Sequence, residues 1–411
     1  RTDCLHEEFR DPVRLTAMAE LIKVLTLNDI ASAGLERLPT SRYVVGAEIS
    51  DPQAILVRSY KMHDMAIPAS LLAVGRAGAG VNNIPVEKLS EMGIPVFNAP
   101  GANANAVKEL VIGAMLIAAR NLISAWDYVR SLDGPNDEVA KAIEAGKKQF
   151  VGFELPGRTL GVIGLGAIGV EVANSALELG MNVIGYDPQI TVRRAWQLSS
   201  GVKQAADLEE LCSKSDIVTS HVPFNDHTRG LLSRDRLALL PRGAVVLNFA
   251  RAEIVDEDAL GDALDSGSVS AYVTDFPSRP LIKRDGVICL PHLGASTREA
   301  EENCAVMVAD NLREFIENGN IRHSVNFPEA VLRRTRPHRL AIANANVPNM
   351  VGQVSTALAE EEINIADLLN VSRGNVAHTL VDLDGPAVEK ALQRIRAIDG
   401  ILTIRVLPLV D

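Results

Sequence analysis

The stretch GVIGLGAIG (161–169) puts Gly164, Gly166 and Gly169 in a GxGxxG spacing, between an apolar run and a helical pattern. The first glycine allows a tight turn, the second lets the backbone approach a pyrophosphate, and the third packs helix against strand. Ala167 and Ile168 open the helix, whose unpaired N–H groups favour an anion. Asp187 ends the next apolar run, at the distance expected of an acid that accepts both ribose hydroxyls. A carboxylate there repels a 2′-phosphate, so the spacing favours NAD over NADP. The other reading of these residues is a glycine-rich turn with an incidental surface aspartate.

Two further residues could carry the reaction. Arg251, in NFARAEIVDEDAL (248–260), follows an apolar strand, where a guanidinium can clamp a carboxylate and polarise a neighbouring carbonyl. It could also be a surface arginine capping the strand. His292, in ICLPHLGAST (288–297), is a candidate acid/base at the end of the last strand. Taken alone, such a histidine is more often structural. If both act, a hydride leaves a 2-hydroxy carbon for NAD while His292 removes the hydroxyl proton and Arg251 holds the carboxylate.

These residues need a scaffold that gathers strand ends. Apolar runs at 22–29, 54–59, 71–78 and 94–101, with helical patterns between some of them, predict parallel strands with crossover helices. A second series at 159–166, 182–187, 216–223, 244–250, 270–276 and 286–292 predicts a complete doubly wound sheet of six strands. Residues 103–130 read as one long helix, and 296–319 as a long amphipathic helix docking back on the first domain. A proline-rich, basic stretch at 326–338 reads as a linker. The remainder has a βαββαβ order, the ferredoxin-like plan. The expected fold is therefore α/β: two doubly wound Rossmann-like domains plus a small C-terminal module. The boundaries are 20–117 with 297–325 for a discontinuous substrate domain, 118–296 for the NAD domain, and 337–411 for the module.

The bulk numbers narrow the function classes. The chain has 411 residues, 47% hydrophobic and 23% charged, with net charge −11. That balance argues against a nucleic-acid or anionic-membrane partner, since both need a basic face. Cys4, Cys212, Cys289 and Cys304 are scattered, which suits thiols in a reducing cytosol and neither a disulfide framework nor a metal site. The longest apolar stretch (110–119) is too short to span a bilayer, and residues 1–20 read as an extension without an apolar signal core. A cytoplasmic protein is expected.

Several motifs together carry a resemblance. GRAGAGVNNI (75–84), NAPGANANAVKEL (98–110), GVIGLGAIG, HVPFNDHTRGLL (221–232), NFARAEIVDE and HLGAST stand in the order of the D-2-hydroxyacid dehydrogenases that act on D-3-phosphoglycerate. The sequence resembles that family from about residue 20 to its end. The resemblance implies an NAD-dependent oxidation to 3-phosphohydroxypyruvate, the opening step of L-serine synthesis, by a homodimer or homotetramer. It implies that Arg251 and His292 are catalytic, and that Arg58, Arg76, Gly78 and Asn103 contact the substrate from the first domain. It also lines the cofactor with Val222, Pro223, Phe249 and Ala250, and sets Asp275 near the nicotinamide amide. Arg58 and Arg76 suit a phosphorylated substrate on electrostatic grounds too, although solvated loop charges would read the same.

The sequence departs from the family at one telling place. The family pairs its histidine with a glutamate near a proline in the loop after the fifth strand. In TDFPSRPL (274–281) the matching positions are Arg279 and Pro280. Asp275 could orient the ring, another acid could reach in (Glu253 and Asp285 are candidates), or turnover is weakened. Ala252 and Ala79 are smaller departures.

Residues 338–411 resemble an ACT domain, a small-molecule-sensing module that in these enzymes often binds L-serine as a feedback inhibitor. That resemblance implies effector contacts at Asn344, Asn346 and Asn349 in NANVPNMVG (344–352), with Asn364 supplied by a facing chain. A purely oligomerising module fits equally well. Two other functions share the fold: a dehydrogenase for another D-2-hydroxyacid, and a non-catalytic sensor of NAD and an amino acid.

Overall fold

The computed structural model describes residues 21–409; the N-terminal extension with Cys4, and the last two residues, lie outside them. The chain forms two compact units. One takes in the described chain up to Gly75, Asn82–Phe97 and the chain from Ala309 on; the other takes in Arg76–Val81 and Asn98–Val308.

The first sheet runs β1 (Ile22–Leu27), β2 (Tyr43–Gly46), β3 (Ala54–Val57), β4 (Ala73–Arg76) and β5 (Val96–Phe97), in spatial order β2-β1-β3-β4-β5. β1 lies parallel to β2 and β3, and β4 to β5. All four residues of β3 are buried, as expected of a strand covered on both faces. β2 is absent from the expected strands. Its four residues are too few to show an alternation, and only pairing with β1 makes them a strand.

The second sheet has seven strands: β6 (Thr159–Ile163), β7 (Asn182–Tyr186), β8 (Lys203–Gln204), β9 (Ile217–Ser220), β10 (Ala244–Asn248), β11 (Val269–Thr274) and β12 (Val287–Cys289). Their order is β12-β11-β10-β9-β6-β7-β8. The expectation of six strands misses β8, a polar pair of exposed residues that carries no apolar signal. Alternate residues of each strand face opposite sides, and both sides are covered. Leu160, Val162, Val245 and Leu247 enter one core; Ile163, Ala244 and Val246 enter the other. Strand order reverses between β6 and β9, so the crevice of a doubly wound sheet opens beyond their C-terminal ends. The single helix expected over 103–130 is two helices, Ala104–Ala119 and Leu122–Ser131. They are separated at Asn121, whose φ of 50° is the left-handed conformation that asparagine tolerates.

The third sheet is antiparallel: β13 (His338–Ala345), β14 (Ile365–Arg373), β15 (Val376–Leu383) and β16 (Ile401–Val406), in order β14-β15-β13-β16. With helices Met350–Ala359 and Glu389–Arg396 between strands it has the expected βαββαβ order. One face packs on those helices through Leu340, Ile342, Val381 and Leu383. The other face belongs to the same unit as the first sheet. A Cβ on Gly93 would stand 2.8 Å from Leu402, and one on Gly319 would stand 2.8 Å from Leu380.

The stretch read as a linker is held in place. Phe327 and Ala330 are buried, and Arg334 donates to the carbonyls of Glu317 (3.2 Å), Pro337 and Pro408 (2.6 Å each). Arg339 and Asp382 form an ion pair with no solvent exposure, at 2.5 and 2.8 Å. Of the basic cluster in this stretch, Arg334 clasps the connection, joined by Arg339 just beyond it, while Arg333 and Arg336 are exposed.

Candidate active site

The glycine-rich turn joins β6 to the helix Ala167–Glu178. Gly164 has φ +89°, and a Cβ there would meet Val222 at 2.8 Å. A Cβ on Gly169 would stand 1.9 Å from the Gly164 carbonyl, so only glycine permits this helix–strand approach. Gly166 differs: nothing lies within 4 Å of its added Cβ. A side chain there would fill open space at the helix start, where a pyrophosphate would lie. Ala167 and Ile168 are the first two residues of that helix. Asp187 follows β7, and its Oδ2 accepts from the Leu165 N–H in the glycine turn at 2.8 Å. Its Oδ1 accepts from Gln189 N–H at 2.9 Å. Each oxygen keeps a second lone pair for a ribose hydroxyl.

The far side of the sheet brings three strand ends together. Asn248, the buried last residue of β10, accepts from Ala250 N–H (3.1 Å) and donates to the Arg251 carbonyl (2.8 Å). These bonds set the turn through Phe249 and Ala250, both buried, and start Arg251 outward. The Arg251 guanidinium donates to the Ala250 carbonyl at 2.6 Å and passes 3.5 Å from the Cβ position of Gly80. Thr274 ends β11; its hydroxyl donates to the Asn248 carbonyl (2.9 Å) and accepts from Phe276 N–H (3.1 Å). The ends of β10 and β11 are thereby locked together.

His292 lies just past β12, with φ +51°, uncommon for a residue with a side chain. Its N–H donates to the carbonyls of Asp275 (3.0 Å) and Leu290 (3.1 Å), which hold that backbone. Its ring packs against Phe276 with centroids 4.7 Å apart and planes inclined at 50°. The same Phe276 ring carries the Arg251 guanidinium carbon at 5.6 Å. Among the described residues no carboxylate forms an ion pair with His292. The Asp275 carbonyl holds the His292 backbone, and its carboxyl feels the histidine's charge without a hydrogen bond to the ring; neither Glu253 nor Asp285 forms an ion pair with it. Arg279 and Pro280 are exposed.

Asp275 is buried. Its Oδ2 accepts from Gly294 N–H at 3.1 Å, while its Oδ1 is buried without a partner. Burial pushes this carboxyl above its usual range, with Gly294, His292 and Arg251 pulling the other way. An unmatched acceptor costs about 1–3 kcal/mol and calls for a donor, as the amide of a nicotinamide would supply. His221, next to β9, has a buried and unpartnered Nδ1, and its Nε2 faces Thr219 Oγ1 at 3.0 Å. Burial pulls its ring down to about 4, so it is neutral near pH 7.

Arg76 folds over Gly78, whose added Cβ would lie 1.9 Å from the guanidinium. Both belong to the unit of the second sheet, as does Asn103, which precedes the helix Ala104–Ala119. Arg58 follows β3 in the other unit. Val222 borders Gly164, and the Pro223 carbonyl accepts from Thr228. In the third sheet, Asn344 is a strand residue rather than part of a loop, because β13 stays paired through Ala345. Its amide accepts from Thr379 at 3.1 Å and donates to the Ala345 carbonyl at 2.8 Å. Asn346 donates to the Gly374 carbonyl, and Asn364 to Asp384. Asn349 takes φ +66° before the helix Met350–Ala359.

Sequence reasoning missed Asn248, Thr274, Phe276 and Arg194. The Arg194 guanidinium donates to Gln197 at 2.8 Å and approaches the Cβ position of Gly101 at 3.6 Å. That same Cβ position is 2.9 Å from Ala167, so Arg194 brings a cation beside the start of the glycine-turn helix. Its only sequence signal is a basic pair, Arg193–Arg194, following Asp187 by a few residues.

Comparison with known proteins agrees with this layout. Residues 112–294 match the family model described as D-isomer specific 2-hydroxyacid dehydrogenase, NAD binding domain. The chain is 37% identical over 357 residues to a D-3-phosphoglycerate dehydrogenase of Methanocaldococcus jannaschii, covering 84% of this chain and 64% of that relative. It thus spans less than two thirds of this archaeal protein. Against the D-3-phosphoglycerate dehydrogenase of Haemophilus influenzae identity is 34% over 349 residues, covering 82% of this chain and 81% of that one. Among solved structures, an NAD+-bound 3-phosphoglycerate dehydrogenase of Entamoeba histolytica superposes with a TM-score of 0.57 at 26% identity, covering 74% of this chain and 98% of that one. With this similarity and the glycine turn, arginine and histidine in place, the chain belongs to the D-isomer-specific 2-hydroxyacid dehydrogenase family.

Proposed function

We propose that this protein oxidises D-3-phosphoglycerate to 3-phosphohydroxypyruvate with NAD, the step that opens L-serine synthesis. The observation that carries this is the meeting of Arg251 and His292 on one ring, in the domain that matches the family's NAD-binding model. The phosphorylated substrate rests on the curated relatives' activity and on Arg58 and Arg76 as anion partners.

Bound at the glycine turn, NAD supplies a hydride acceptor for the carbinol carbon. The backbone of Gly164–Gly169 would hold its pyrophosphate, with Arg194 as a nearby cation, and Asp187 would take the ribose hydroxyls. Asp275 Oδ1 would accept the carboxamide N–H and so fix the reactive face. Arg251 would hold the substrate carboxylate and draw charge toward the oxygen that becomes the carbonyl. His292 would take the hydroxyl proton as the hydride departs, and return it in the reverse direction.

The proposal includes the domain layout of 20–117 with 297–325, 118–296 and 337–411, a homodimer or homotetramer in the cytoplasm, and an ACT module at the C-terminus. Among the described residues no helix is long and apolar enough to cross a membrane. The βαββαβ order of the module supports its ACT reading. L-serine as effector would have to displace bonds that the side chains of Asn344, Asn346 and Asn364 already make within their own chain.

The test is NADH formation from D-3-phosphoglycerate at alkaline pH, by the purified protein and by His292→Ala. Turnover that vanishes in the variant upholds the reading. If the native chain binds NAD but produces no NADH, the reading fails; other D-2-hydroxyacids, then a sensing role, come next.

A further inference from the structure

We infer that Phe276 is the positioning residue for both His292 and Arg251, an aromatic platform that does the orienting a carboxylate partner of the histidine would otherwise do. The inference rests on the dehydrogenase reading above and adds to it how this chain aims its acid/base. An imidazole acting on a substrate hydroxyl needs a fixed ring plane. A side-chain acceptor on the second nitrogen is one way to fix it; packing on a flat neighbour is another.

Three observations converge on Phe276. The His292 ring lies 4.7 Å from it in a tilted pair, within the range where aromatic rings attract. The Arg251 guanidinium carbon lies 5.6 Å from its centroid, inside cation–π reach. Phe276 itself is anchored: its N–H donates to Thr274 Oγ1, which donates in turn to the carbonyl of Asn248, the residue that starts the Arg251 turn. One ring thus sets the spacing of the two groups that must meet a single substrate.

The charge change of the reaction suits this platform. When His292 accepts the hydroxyl proton it becomes a cation, and the electron-rich face of Phe276 attracts it as it attracts the guanidinium. The phenyl ring neither gives nor takes a proton. In oxidation the C–H electron pair goes to the nicotinamide and the hydroxyl proton to His292; Phe276 only holds the acceptor still.

The test uses the full chain in native, Phe276→Leu and Phe276→Tyr forms. The His292 imidazole resonance, assigned by its loss in His292→Ala, is recorded by NMR with isotope-labelled histidine. Steady-state kinetics with D-3-phosphoglycerate and NAD binding are measured beside it. Leucine keeps bulk but removes the ring. It should move the His292 resonance and lower kcat on the order of 100-fold, the cost of misplacing a reacting group by about an ångström. NAD affinity and the unfolding midpoint should hold, and tyrosine should restore resonance and kcat together. An unmoved resonance with unchanged kcat in Phe276→Leu overturns the inference. So does a fall in kcat that tyrosine fails to restore. If the native chain does not oxidise D-3-phosphoglycerate, it is the function proposed above that fails. The order parameter of the His292 ring, from NMR relaxation, needs no substrate and no ring current, so it still decides whether Phe276 holds the ring: it should fall in Phe276→Leu and return in Phe276→Tyr, and an unchanged value overturns the inference.

Discussion

Replacing Asp382 by alanine tests how firmly the C-terminal sheet is built into its unit. Asp382 and Arg339 have no solvent exposure, and the carboxylate meets Nε at 2.5 Å and Nη2 at 2.8 Å. The remaining nitrogen, Nη1, donates to the carbonyls of Asn318 (3.1 Å) and Leu332 (2.9 Å), and Thr335 N–H donates to Asp382 at 3.3 Å. Removing the carboxylate leaves a buried guanidinium with two unmatched N–H donors along one edge. Breaking such a pair by losing one partner costs about 3–5 kcal/mol, roughly a 100- to 1000-fold or larger change in the folding equilibrium. Arg339→Met with Asp382→Leu removes both charges and should recover most of that loss. About 1–2 kcal/mol should remain from the two carbonyls that Arg339 served. Urea unfolding read at the midpoint gives these values directly. If Asp382→Ala loses less than about 1 kcal/mol, the cost of an exposed pair, then water reaches this site and the argument from burial is wrong.

Three further outcomes follow from particular residues. His378 Nε2 donates to the Gly319 carbonyl (2.8 Å), its Nδ1 is buried and unpartnered, and the ring lies between Phe315 and Phe327 with Arg405 nearby; burial pulls its ring down to about 4 from 6.5. The unfolded chain therefore takes up this proton first. The His378 share of stability should be full above pH 6.5, fall by about 1.4 kcal/mol per pH unit down to about pH 4, and level off below it, with an equal share from the similarly depressed His221. A His378→Gln variant with the same slope in urea midpoints against pH would exclude His378 as the source. Gly166→Val should fold and lose NAD binding, because its side chain enters open space, whereas Gly169→Val should fail to fold against the Gly164 carbonyl; calorimetric binding and thermal unfolding separate the two. Arg194→Ala should weaken NAD roughly tenfold, the worth of one charge-assisted contact, and unchanged affinity would remove it from the cofactor site.

Much of the site is legible in the sequence. The glycine spacing, Asp187, Arg251 and His292 each follow an apolar run, and a doubly wound sheet places such positions at its C-terminal edge. Local signals of that kind survive because they need only a strand, a turn and a helix start. The elements that escape such a reading have no local signal. β2 and β8 are too short or too polar to show a period, and the break at Asn121 replaces an expected continuous helix with two.

The sequence alone determined that this protein carries a dinucleotide turn and a histidine and arginine at strand ends, and that the glutamate expected beside the histidine is missing. It could not say what stands there instead. Phe276 is one apolar residue in a loop, and its contacts with His292 and Arg251 join residues sixteen and twenty-five positions away. Nor could it tell a solvated basic linker from one whose Arg334 and the adjoining Arg339 are bound to carbonyls and a buried aspartate. Charge and hydropathy are properties of a residue, but burial and orientation belong to the neighbours that folding brings to it. Only the tertiary structure supplies those neighbours.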